Sequence, residues 1–254
     1  MFVASILVLL VCVTAPANAQ LFGTEGSAVK EGFTLPADKA VKILVFRPDV
    51  QVAEQTTGGL DQPNADWTQQ AKSLLNDALV AAQARGGNDV IFMPALQGEQ
   101  ARLMADHQAL FRVIADAAIT HKLFPGDELP SKKGKFDWTL GPTVQELSTI
   151  GGGADYGLFL YSYDSYGSSG RKAAQIVGLI LAADLIPAGV HIGYAALVDL
   201  KNGDLVWINA DISMGGDVRT QEGAEKRVMQ LLEDFPVRSP VQSRRGDVTV
   251  GGAP

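Results

Sequence analysis

The sequence predicts a single α/β domain in which a mixed sheet of about five strands carries helices packed on it, as two or three layers. Three observations predict it. Early in the chain, short apolar runs alternate with long amphipathic stretches, the pattern of parallel strands joined by helical crossovers. Later, residues 155–166 and 195–212 are rich in the β-branched and aromatic residues that suit a half-buried pleated surface. Within the second run, Asn202-Gly203 lies between Leu200 and Leu205, the short-range signature of an antiparallel hairpin with a type I′ turn, whose central residues both need φ > 0.

Residues 1–19 read as a secretory signal peptide: an apolar run over 2–13, then Pro16 and the small-residue site Ala17-Asn18-Ala19, so that cleavage after Ala19 leaves Gln20 first. The run is short for a bilayer span, and no Lys or Arg precedes it. Cys12, the sole cysteine, lies inside this run, so the mature chain has no thiol and no disulfide. Leu9-Leu10-Val11 before it lacks the small residue of a lipidation site. Residues 20–40 are mixed and Gly-containing and read as a lead-in arm.

The α/β domain is expected over 41–236. Residues 41–47 are almost continuously apolar, as in a strand covered on both faces, and Pro48-Asp49 ends it. Gly58-Gly59 and Pro63 mark 51–64 as a loop. Asn64 or Asp66 caps a helix to about Arg85, with Trp67, Ala71, Leu74, Leu75, Ala78, Leu79 and Ala82 as its inner stripe and Gly86-Gly87 as its stop. A short strand over 90–93 precedes a helix over 99–122 whose inner face holds Leu103, His107, Leu110, Phe111, Ile114, Ala118 and His121. Residues 124–142 read as loop, 143–150 as a short helix entered at Pro142, and 151–153 as its glycine stop. Thr220 caps a last helix with Ala224, Val228, Leu231, Leu232 and Phe235 inside, ended by Pro236. Residues 237–254 lack apolar mass and read as a disordered tail.

Between the strand at 155–166 and the hairpin lies an apolar insertion, 173–194. Ile176, Val177, Leu179, Ile180, Leu181, Leu185 and Ile186 make it apolar nearly all round, so it must be covered. Two covers are open: the sheet itself, or, for a corner reaching outward through 173–198, another copy of the chain or a lipid surface.

At 254 residues and 46% apolar content the chain is long enough for a real core. Its formal charge is −7 and it has no run of five or more basic residues, which excludes a nucleic-acid surface and an anionic-membrane surface of the polybasic kind.

Four stretches carry a family resemblance: VKILVFRPD at 41–49, GADYGLFLYSY at 153–163, AALVDLKNGDLVW at 195–207, and GGDVR at 215–219 followed by the GAEKRVMQLLEDFP helix at 223–236. Together they resemble a group of uncharacterised bacterial envelope proteins. More distantly they are similar to the domain of the curli-secretion lipoprotein, of the lipoprotein activators of penicillin-binding proteins, and of the N-terminal part of the Tol translocation protein. The resemblance implies a periplasmic α/β module that binds protein partners. The absent lipidation cysteine departs from the lipoprotein members.

Candidate chemistry is sparse. No nucleophile is paired with a base in sequence, and no catalytic residue, metal ligand set or cofactor is expected. His107 reads as a hydrogen-bonded core residue, and neither it nor His121 has the i, i+4 partner of a zinc helix. His191 has no carboxylate near it in sequence and reads as a structural residue. Gly167, Gly170, Arg171 and Lys172 follow a strand and precede a helical pattern, so their amides and charges form a candidate anion site, although the glycine spacing is not that of a phosphate loop. Asp155, Asp164, Asp199, Asp211 and Asp217 are placed at or near strand ends, where turn chemistry is the simpler reading.

The function this implies is an exported envelope protein that binds another protein or itself, with peripheral membrane contact through 173–198 as a variant. One alternative is a small hydrolase or anion-binding enzyme using the strand-end aspartates with Arg171 or Arg219. A second is a subunit of an envelope export pore.

Overall fold

The computed structural model describes residues 25–36, 40–56, 60–83, 89–123, 126–167 and 189–236. The strands are β1 (Glu25–Val29), β2 (Lys42–Val45), β3 (Asp49–Gln55), β4 (Asp61–Pro63), β5 (Asp89–Phe92), β6 (Tyr156–Gly167), β7 (His191–Asp199) and β8 (Leu205–Asp211). The helices are α1 (Ala65–Gln83), α2 (Gly98–Ala118), prolonged by a π-helical turn at Ile119–Leu123, α3 (Gln145–Ile150) and α4 (Gln221–Leu231).

All eight strands form one mixed sheet in the order β1-β8-β7-β6-β2-β5, with β3 running on beside β6 where β2 stops and β4 beyond it. β2 is parallel to β5 and β6, and β3 is parallel to β6, whereas β6, β7 and β8 are antiparallel neighbours. The expected class is therefore observed.

Alternation along β2 explains the layers. Val41, Ile43 and Val45 point into a core shared with Ala71, Leu75 and Leu79 of α1 and Ala224, Val228 and Leu231 of α4. Leu44 and Phe46 point the other way, toward Met104, Phe111 and Ala115 of α2 and Leu147 of α3. Two cores separated by one sheet make three layers, with α1 and α4 on one face and α2 and α3 on the other. The Phe159 ring centroid lies 4.1 Å from that of Phe46, tilted against it, and 4.7 Å from that of Phe111, stacked on it, within the second core.

Several expectations need correction. The lead-in arm contains β1, which pairs antiparallel with β8, and the loop expected at 51–64 contains most of β3 and all of β4. Pro48 interrupts the ladder for a step, and Val50 and Val52 then resume burial beside β6 while Gln51 stays exposed. β7 begins at His191, inside the stretch assigned to the insertion, because Tyr163 and Asp164 extend far enough to pair with Ile192 and His191. On α2, His107, Phe111 and Ala118 are buried and Leu103 and Ile114 pack against the core as expected, but Met104 and Ala115 join the buried face while Leu110 is exposed.

The β7–β8 hairpin forms, but not through a type I′ turn. Only Gly203 has positive φ, at 84°, and Gly203 N–H donates to the Asp199 carbonyl at 2.8 Å, closing a longer loop. Asn64 does cap α1, its Oδ1 accepting from Trp67 N–H at 3.0 Å, and Thr220 caps α4, accepting from Gly223 N–H at 3.1 Å. The signal segment, the stop at Gly86-Gly87, most of the apolar insertion and the tail lie outside the described residues.

Candidate functional site

Period-two alternation places Leu158, Leu160, Ser162, Asp164 and Tyr166 of β6 on the face covered by α1 and α4. The first two join the core. The next two put a hydroxyl and a carboxylate where leucines would otherwise continue, and α4 answers with Arg227, at the same helical spacing as Ala224, Val228 and Leu231.

Asp164 and Arg227 are both 0% exposed. Arg227 Nη2 donates to Asp164 Oδ1 at 2.8 Å, and Nη1 donates to Oδ2 at 3.0 Å and to Ser162 Oγ at 2.6 Å. Ser162 Oγ in turn donates to Asp164 Oδ2 at 2.9 Å, closing a ring of charge-assisted bonds. From β7, directly across the ladder, His191 Nδ1 donates to Asp164 Oδ1 at 2.8 Å. The His191 side chain is 25% exposed and forms the edge of the cluster. Tyr166 O–H completes it, donating to Asp164 Oδ1 at 3.4 Å while accepting from Val218 N–H at 3.0 Å.

Burial by itself pushes the Asp164 carboxyl up. The His191 and Arg227 hydrogen bonds, the Arg227 charge and the Ser162 hydroxyl outweigh that and hold it below its ordinary value. Tyr166 is driven the opposite way, its phenol pushed up by burial first and by the Asp164 charge second. Asp164 is thus held as an anion and Tyr166 as a neutral phenol.

A second ion pair stacks on the Tyr166 ring. Arg219 grips Asp217 with Nε to Oδ1 at 2.8 Å and Nη2 to Oδ2 at 2.6 Å. Its guanidinium lies 3.8 Å from the Tyr166 ring centroid and 4.3 Å from that of Trp67 on α1. Asp217 is held below its ordinary value, chiefly by the Arg219 hydrogen bond.

The other sequence candidates divide cleanly. Asp155 accepts from Lys42 N–H, Asp199 from Lys201 N–H and Asp211 from Ser213 N–H, so these three act in turns and strand ends as expected. Asp164 departs from that reading, being inside the sheet and not in a turn. His191 also departs from its reading, because a register 27 positions long in sequence brings a carboxylate to it that local inspection does not see. His107 is buried and donates from Nδ1 to the Leu103 carbonyl at 2.9 Å. Gly167 ends β6 opposite Gln55, while Gly170, Arg171 and Lys172, like Ala19 and Gln20, lie outside the described residues. Among the described residues no group of three metal-ligating side chains converges, and no helix is long and apolar enough to cross a membrane.

Arg227 is the residue that sequence reading missed. Its signal was present: a charge on the apolar stripe of α4 must be buried with a partner, and Asp164 is the acid on an inward-facing position of a strand.

No protein-family model matches the chain, and no curated protein does. Among solved structures it is similar to a point variant of the PelC dodecamer from Paraburkholderia phytofirmans, with 16% identity over 86% of this chain and 99% of that chain and a TM-score of 0.33. A second crystal form of that dodecamer gives 15% identity over 85% and 100% of the two chains and a TM-score of 0.31. At these values nothing about the activity of this chain follows from the likeness.

Proposed function

We propose that this chain is an exported, periplasmic envelope protein that works by contact, associating with further copies of itself or with a protein partner, and not by turnover. The observation that carries the reading is the commitment of its acids. Asp164 gives both oxygens to Arg227, Ser162 and His191, and Asp217 gives both to Arg219. Two of the five aspartates that a hydrolase reading calls on are therefore engaged internally through both oxygens, and so is Arg219, one of its two arginines.

The same cluster ties β6, β7 and α4 together close to where β6 leaves for, and β7 returns from, the connection 168–188. That connection is rich in Ile, Val and Leu by sequence, and a braced root beneath an apolar connection suits a contact element.

Sedimentation of the chain beginning at Gln20, compared with a variant in which a short Gly/Ser link replaces 171–186, tests the reading. Self-association of the first and a folded monomer for the second are expected. A parent chain that stays monomeric at its highest soluble concentration, or a shortened one that still associates, overturns the self-association. A ring-sized particle in detergent would point to the pore alternative. Export is checked by the mass of the protein recovered from the producing cell, which is expected to begin at Gln20.

A further inference from the structure

The polar flank of α1 does not all face open water. Gln69, Lys72, Ser73 and Asn76, at positions i, i+3, i+4 and i+7 of one helix flank, line a crevice of about 490 Å³ closed by Arg47 after β2 and Gln108 on α2. Its location follows from topology. β2 and β5 are adjacent and parallel, the helix before β5 lies on one face of the sheet and the helix after it on the other, and the crevice opens beyond the carboxyl ends of these strands. In open α/β sheets this is where ligands bind, because the two connections diverge and leave a gap.

The chemistry of the lining is one-sided. The Arg47 guanidinium and Lys72 ammonium have no ion pair among the described residues, whereas Asp49, the acid of the crevice, is turned to Arg112 at 3.6 Å. Gln108 Nε2 donates to the Arg47 carbonyl at 3.2 Å and so braces the Arg47 backbone between the sheet and α2. Two uncommitted cations with amide and hydroxyl donors beside them, on a chain of net charge −7, form a local positive pocket in an acidic protein. Arg47 and Gln108 also line a second, smaller space of about 200 Å³, walled on its other sides by Met93, Pro94, Leu96 and Met104.

We propose that these two adjoining spaces together bind a small amphipathic oxyanion, a phosphate monoester whose head lies between Arg47 and Lys72 and whose ring-sized apolar body reaches over the shared Arg47–Gln108 wall into the Met93–Leu96–Met104 space. The first part recognises charge through paired cations, and the second takes up apolar area of about one ring. The site is independent of the contact function proposed above.

The test is a titration of the isotopically labelled chain with phenyl phosphate, inorganic phosphate and phenol, followed by amide resonances. Phenyl phosphate is expected to shift 47–49, 69–76, 93–96 and 108 saturably and to bind at least about tenfold tighter than inorganic phosphate, the gain from one buried ring. The double variant R47Q/K72Q, both exposed positions, is expected to lose at least about tenfold for both anions with an unchanged thermal midpoint. Leu96→Ser is expected to weaken phenyl phosphate and leave inorganic phosphate unaffected. Absence of saturable shifts, equal affinity for the two anions, shifts centred elsewhere, or unaltered binding in R47Q/K72Q overturns the proposal.

Discussion

The carboxylate of Asp164 on β6 and the guanidinium of Arg227 on α4 face each other through two hydrogen bonds of 2.8 and 3.0 Å, with neither side chain touching solvent. A pair this deep is costly to form and costlier to break, because the partner left behind is a buried charge. Asp164→Leu and Arg227→Leu are each expected to lower unfolding free energy by about 3–5 kcal/mol. The double variant D164L/R227L is expected to lose much less than their sum, since no lone charge remains. Urea unfolding of the four proteins measures the coupling, and additive losses would refute it.

Acid should weaken the fold through the same carboxylate. The folded-state value of Asp164 lies below its ordinary 3.8, so its contribution is fully present above that value and is lost as pH falls through the lower, folded value. Asp217 shifts in the same direction and adds a smaller share because it is partly exposed. The thermal midpoint is expected to hold from neutral pH down to about 5 and to fall below about 4, with a shallower fall in Asp164→Asn.

Gly193 on β7 marks where the sheet meets the 212–218 segment. A Cβ there would lie 2.4 Å from Met214 Sδ and 3.0 Å from Leu231 Cδ2. Gly193→Ala is expected to cost about 1–3 kcal/mol by overpacking. Adding Met214→Ala should cost less than it does in the parent, because the new methyl occupies part of the space vacated, and a double-mutant cycle reads the difference.

In the β7–β8 loop the two residues of the Asn-Gly signature carry unequal weight. Gly203 combines φ of 84° with a Cβ position 2.1 Å from the Gly141 carbonyl oxygen. Gly203→Ala is expected to cost more than about 2 kcal/mol, exceeding the left-handed penalty alone. Asn202 is exposed and offers one bond, Oδ1 accepting from Asp204 N–H at 2.9 Å, so Asn202→Ala should cost less than about 1 kcal/mol. Equal losses at the two positions would restore a type I′ account.

Legibility followed the range of the interactions. The caps at Asn64 and Thr220, the apolar stripe of α1 and the long strand at β6 were readable because each rests on neighbours within a few positions. β1 and β4 were not, since a short polar strand owes its structure to the partner it pairs with, here β8 and β3.

By itself, then, the sequence determined the layered α/β class, the antiparallel hairpin and the helix starts, all products of local propensity and hydrophobic period. Only the tertiary structure decided that Asp164, His191 and Arg227 form one hydrogen-bonded unit, and that Arg47 and Lys72 share a crevice. Strand register and helix docking set those distances, and both come from packing between segments far apart in the chain.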